Sequence, residues 1–117
     1  MTNHEKINYI ELPAKNLKLV KDFFRSAFGW HFVDYGPEYV AFSNSGLNGG
    51  FYLSELTSST KHGSALVVLY SDQLEVTQQK IEKANGTIIK SIFPFPGGRR
   101  FHFSDPNGNE YAVWSDK

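Results

Sequence analysis

The feature that most constrains this chain is that its order of predicted elements runs through twice. Leu17 and Gly29 recur as Leu74 and Gly86, 57 positions later, and Phe42-Ser43 recurs as Phe103-Ser104, 61 positions later. In the first pass a strand is predicted over 7–12, limited by Pro13. Asn16 then caps a helix whose apolar positions Leu17, Val20, Phe23, Phe24, Ala27 and Phe28 recur at three- and four-residue steps, and Gly29 ends it. Strands follow over 30–34, 39–43 and 49–53. A polar Ser/Thr-rich linker over 55–63 separates the passes. In the second pass a strand over 65–70 leads to a helix opened by a capping box of Asp72 and Glu75, with Leu74, Thr77, Ile81 and Ala84 on its inner face. Strands over 87–91, 99–104 and 110–114 complete it. The four-residue excess of the second copy falls at Phe93-Pro94-Phe95-Pro96-Gly97-Gly98, read as a longer loop. The expectation is an α+β fold of two βαβββ modules, about 7–57 and 64–117, in one domain spanning 1–117. Their strands form a cup-shaped mixed sheet, with the helices on its outer face and a cavity shared on the other.

The last two strands flank Asp105-Pro106-Asn107-Gly108-Asn109, whose Pro and Gly supply the restricted and permissive backbone of a tight reversal, so a β-hairpin is predicted. With this turn, the Phe28-Gly29-Trp30 after the first helix and the paired βαβββ plan, the chain from Ile7 to Trp114 resembles the vicinal-oxygen-chelate family of glyoxalase I, extradiol dioxygenases and bleomycin-resistance proteins. The resemblance implies a homodimer. It also implies a cup that in metal-dependent members holds a divalent ion on His, Glu or Gln side chains from the strands. Carried over position by position, those ligand sites fall on Tyr9, Leu66, Ala112 and, within one or two residues, Phe51. None of these is an ordinary ligand for a divalent metal, so no cofactor is expected, and a metal only at a displaced site.

The bulk numbers exclude several classes. There is no Cys, so disulfide and thiolate chemistry are absent. Twelve basic and twelve acidic residues cancel, and without a basic tract nothing marks the chain for nucleic acid or an anionic membrane. With no basic-apolar leader or long apolar run, the expectation is a soluble, cytoplasmic protein.

Strand parity then selects the lining of the cup. Tyr9 and Glu11, then Leu66, Val68 and Tyr70, then Ala112 and Trp114 share the inward face, and Arg100 and His102 alternate with core-facing Phe101 and Phe103. Such a cavity is mainly aromatic and aliphatic, with sparse polar groups to orient a small molecule. Arg100 can clamp an anion, and His102 can donate, accept or shuttle a proton. Each residue also has a structural reading. His102 can be a hydrogen-bonded sheet residue, Arg99 and Arg100 a solvated rim, and Glu11 the partner of a nearby base. Tyr9, Tyr70 and Trp114 can pack a core or a dimer interface. Three functions stay open. The first is small-molecule binding without the family metal. The second is a glyoxalase-type isomerase, lyase or other superfamily enzyme, using Glu11 and His102 around a displaced metal or as acid and base. The third is an interaction module.

Overall fold

The computed structural model describes residues 3–117. The elements run β1 (Tyr9–Ala14), α1 (Leu17–Phe28), β2 (His31–Asp34), β3 (Tyr39–Ser43), β4 (Asn48–Leu53), β5 (Val67–Tyr70), α2 (Leu74–Lys83), β6 (Thr87–Phe95), β7 (Gly98–Ser104) and β8 (Glu110–Ser115), with a short 3-10 helix at Thr60–His62. The first four strands form one sheet in the order β1-β4-β3-β2, and the last four form another in the order β5-β8-β7-β6. Each sheet pairs its first and last strands in parallel and is otherwise antiparallel. The repeated order is therefore a repeated topology. Among the described residues no helix is long and apolar enough to cross a membrane.

Local chemistry sets the element ends. Asn16 accepts the backbone N–H of Leu19 at 3.0 Å, and Gly29 leaves α1 in the left-handed region at φ 73. One expectation changes at α2. The capping box does not form: Gln73 is the N-cap without a side-chain bond, and its N–H goes to Ser71 Oγ. The left-handed residue after α2 is Asn85, at φ 77. Gly86 is needed for space instead, because a Cβ there would lie 2.6 Å from Ile81 and 2.8 Å from Phe23.

Two strands run on through prolines expected to lie outside them. β1 runs through Pro13, which is tolerated because β1 is an edge strand. β6 continues through Phe93-Pro94-Phe95, which pairs with Arg100-Arg99-Gly98 of β7, so the expected loop is a long hairpin arm. Two register shifts precede that arm. β6 is also an edge strand, so the N–H that Pro94 lacks costs no ladder bond to a further strand.

The core ties the modules together through α1. Phe24 stacks on Trp30 and Phe51 of the first module and meets Tyr111 of the second edge-on at 5.2 Å. Phe23 and Phe28 lie against Phe103 at 6.0 and 6.2 Å. The helix layer is thus shared, with α1 packed on α2 and its rings reaching both sheets. Fully burying each such ring contributes roughly 2–3 kcal/mol.

The Asp105–Asn109 turn is the polar counterpart of that contact. Asp105 Oδ1 accepts the N–H groups of Asn107 and Asn109, while Oδ2 accepts the Tyr111 hydroxyl at 2.6 Å. Burial pushes the Asp105 carboxyl up, against these hydrogen bonds. Asn107 Oδ1 accepts the N–H of Asn16, and Asn107 Nδ2 donates to the Asn16 carbonyl. Asn109 Nδ2 donates to the Pro13 carbonyl at 2.6 Å, and its Oδ1 accepts the Ser58 N–H at 2.9 Å. The turn therefore joins β8 to β1, α1 and the linker.

Candidate functional site

Side chains on the helix-free faces form two separate polar groups. On the first sheet, Glu11 sits opposite Gly50 in the β1–β4 register. The Tyr39 hydroxyl donates to Glu11 Oε2 at 2.9 Å and accepts from the Tyr9 hydroxyl at 2.7 Å. Gly50 makes room for this, since a Cβ there would collide with the Tyr39 hydroxyl. Burial, then the bonds to Tyr9 and Glu11, push the Tyr39 phenol well above its ordinary range. The partner of Glu11 is thus a phenol and not the base that the sequence suggested.

On the second sheet a chain of hydrogen bonds runs from the linker into the face. Glu110 Oε1 accepts both the N–H and the hydroxyl of Thr60, at 2.8 and 2.9 Å. Its Oε2 lies 2.8 Å from His102 Nδ1, and His102 Nε2 lies 2.9 Å from Arg100 Nη2. A guanidinium nitrogen only donates, so Nε2 must be the acceptor. The proton is then on Nδ1, aimed at Glu110, and His102 is the neutral tautomer. The His102 and Glu110 side chains are 5% and 10% exposed. Burial works against ionisation of Glu110, but the bonds from His102 and Thr60 outweigh it and hold the carboxyl below its usual range.

Six of the ten residues expected in the cup share this second face: Val68, Tyr70, Arg100, His102, Ala112 and Trp114. Ala112 is opposite Val68 on one side and His102 on the other. Trp114 is opposite Tyr70 and Arg100, with the Tyr70 ring edge-on at 5.2 Å. Arg100 lies over the rings of Phe93 and Phe95 at 5.6 and 5.9 Å. A cavity of about 410 Å³ adjoins it, bordered by Val68, Phe95, Pro96, Gly97 and Trp114.

The other four are placed elsewhere. Tyr9 and Glu11 belong to the Tyr39 group on the first sheet. Leu66 borders a second cavity, of about 600 Å³, where Ile10 and Leu12 of β1 face residues 66–70 across the gap between the sheets. Phe28, Trp30 and Phe42 also wall it, and Val68 borders both cavities. Phe51 is a correction: it is fully buried against Phe24 on the helix side. Gly50, opposite Glu11, holds the position that Ala112 holds opposite Val68.

Arg99 and Arg100 separate by parity. Arg99 pairs with Glu75 at 2.6 Å on the rim, whereas Arg100 turns onto the face. Glu110 was missed by the sequence reading, although parity places it with Ala112 and Trp114 on β8. Thr60 left no signal within its polar linker.

The donor set does not fit the metal that the resemblance implies. The positions that the resemblance assigns to ligands hold Tyr9, Leu66 and Ala112, with Gly50 in place of Phe51, and none of these is a His, Glu or Gln. Among the described residues no three His, Cys, Asp or Glu side chains form a group able to hold a metal ion. Glu11 and His102, the pair considered for a displaced site, are engaged in different networks.

Comparison with known proteins agrees with this architecture. No curated protein matches the chain in sequence. The fold is similar to a glyoxalase-related enzyme from Fulvimarina pelagi, with TM-score 0.78 and 17% identity over 95% of this chain and 88% of that one. It is also similar to the lactoylglutathione lyase of Agrobacterium tumefaciens, with TM-score 0.71 and 19% identity over 97% and 95% of the two chains. A third likeness is the fosfomycin resistance protein FosX of Listeria monocytogenes, with TM-score 0.78 and 14% identity over 95% and 93%. The sequence pattern of the Glyoxalase/Bleomycin resistance protein/Dioxygenase superfamily matches residues 6–113, nearly the whole chain, and the protein belongs to that superfamily.

Proposed function

We propose that this protein is a small-molecule-binding member of its superfamily that holds an apolar or aromatic ligand without a divalent metal. One observation carries the reading: Tyr9, Leu66 and Ala112, with Gly50 in place of Phe51, stand where the superfamily's metal needs His, Glu or Gln donors. The two cavities supply the alternative means of binding. Their volumes, about 600 and 410 Å³, lie in the range of small-molecule pockets, and their walls are mostly aliphatic and aromatic with few polar groups. Homodimer formation belongs to the same proposal, supported by the exposure of Tyr9, Val68 and Tyr70 on the helix-free faces.

A catalytic reading also has an observation in its favour. Glu110 orients the His102 imidazole at 2.8 Å, as a carboxylate orients a general base. The remaining ring nitrogen is taken by Arg100, however, so no lone pair faces a substrate. Binding is the better supported use of the site.

The test is a ligand-induced melting screen of aromatic and aliphatic small molecules, run with EDTA and with added zinc, nickel and manganese. A ligand that binds only the folded state raises the melting temperature by mass action. The expected result is stabilisation that is equal under both conditions. Stabilisation that appears only with a divalent metal would overturn the metal-free reading.

A further inference from the structure

Resting on the small-molecule reading above, we infer that the ligand is a carboxylate with an aromatic or apolar body, and that Arg100 is the residue that recognises its charge. The observation is an unspent cation. Arg100 is partly buried, yet among the described residues it has no carboxylate partner, and its Nε is buried with no hydrogen-bond partner. The guanidinium carries five N–H donors, and the structure gives it one protein acceptor, the neutral Nε2 of His102. A buried donor left without a partner is costly, because it has lost its hydrogen bond to water and gained none in return. A fold that keeps one has either a ligand to satisfy it or a better use for the position.

The surroundings hold the guanidinium in place for such a ligand. Thr60 fixes Glu110, Glu110 fixes the tautomer and orientation of His102, and His102 takes Nη2. The Phe93 and Phe95 rings set the other side, at 5.6 and 5.9 Å. A cation held this way retains little freedom that a ligand would still have to remove. Lys90 lies over the same Phe93 ring at 5.7 Å and adds positive potential. Arg99 offers no competing site, because Glu75 already holds it.

The cavity names the rest of the ligand. Val68, Phe95, Pro96, Gly97 and Trp114 border it beside Arg100, and Trp114 is braced by Tyr70 and Phe95. A flat apolar group fits against these walls while its carboxylate accepts from the guanidinium N–H groups that His102 leaves free.

The experiment uses phenylacetate and benzoate against phenylacetamide and benzamide, which keep the shape and lose the charge. Binding is followed by calorimetry and by the Arg100 Nε–H signal in the nitrogen-15 spectrum of the full chain. The carboxylates are expected to bind at least about tenfold more tightly than their amides, and to shift the Arg100 Nε–H resonance. Arg100→Gln should abolish that preference, and Arg99→Gln should preserve it. The wild-type resonance keeps the test valid if Arg100→Gln does not fold. Equal binding of acids and amides, no carboxylate binding at millimolar concentration, or an unmoved Arg100 signal would overturn the inference. Tight amide binding without metal would do so while leaving the small-molecule reading intact. A divalent metal required for binding would overturn that reading, and an acid-selective shift at Arg100 would still stand.

Discussion

Replacing Asn109 by alanine removes two buried hydrogen bonds, one crossing to β1 of the first module and one to the linker between the modules. Asn109 is 1% exposed, and its amide joins the Pro13 carbonyl at the end of β1 to the Ser58 N–H in the linker. Alanine strands both partners, each at a cost of about 1–3 kcal/mol, so the variant should lose roughly 2–5 kcal/mol. For a domain of this size that is a fall in melting temperature on the order of 10 °C. Asn107→Ala provides the comparison. It also loses two bonds, but both are to the backbone of exposed Asn16, where water can replace them, so its loss should be smaller, under about 2 kcal/mol. Chemical denaturation followed by circular dichroism gives both numbers. An Asn109→Ala protein within about 0.5 kcal/mol of wild type, or one more stable than Asn107→Ala, would refute the view that the turn joins the modules.

Other consequences can be checked separately. Gly50→Ala should drive the Tyr39 ring off Glu11, so that one tyrosine titrates closer to its ordinary value in an ultraviolet pH titration. Glu110→Gln keeps an acceptor for Thr60 but none for the His102 proton, and should cost about 1–2 kcal/mol at neutral pH. Because the Glu110 carboxyl is held below its usual range, its contribution is present above the ordinary carboxylate value and is lost as pH falls through the lower folded value. Denaturant titrations should therefore show the gap between wild type and Glu110→Gln closing in acid. Asn16→Ala should cost about 1 kcal/mol through the lost helix cap, read from the same unfolding curves.

What was legible in the sequence was what local chemistry dictates. Asn16 and Gly29 bound α1 because cap geometry is a property of the residues themselves. Parity alone put Phe101 and Phe103 in the core and Arg100 and His102 on the other face, because side chains alternate along a strand whatever its partner. The failures needed partners that are distant in the chain. Pro94 read as part of a loop because a proline's compatibility with a strand depends on whether that strand lies at an edge. Phe51 was put on the wrong face because the β3–β4 turn differs in length from the β7–β8 turn, and a slip of one residue inverts a strand. The partner of His102 was not visible because Glu110 and His102 become neighbours only when the hairpin closes, and Thr60 joins them from the linker.

The central claim is that this member of the superfamily binds its ligand without a divalent metal, and metal content tests it most directly. Protein purified without chelator should contain well under one equivalent of zinc, nickel, iron or manganese by mass spectrometry, and EDTA should leave its melting temperature unchanged. One equivalent of a single divalent metal, with a melting temperature that falls when it is removed, would contradict the account.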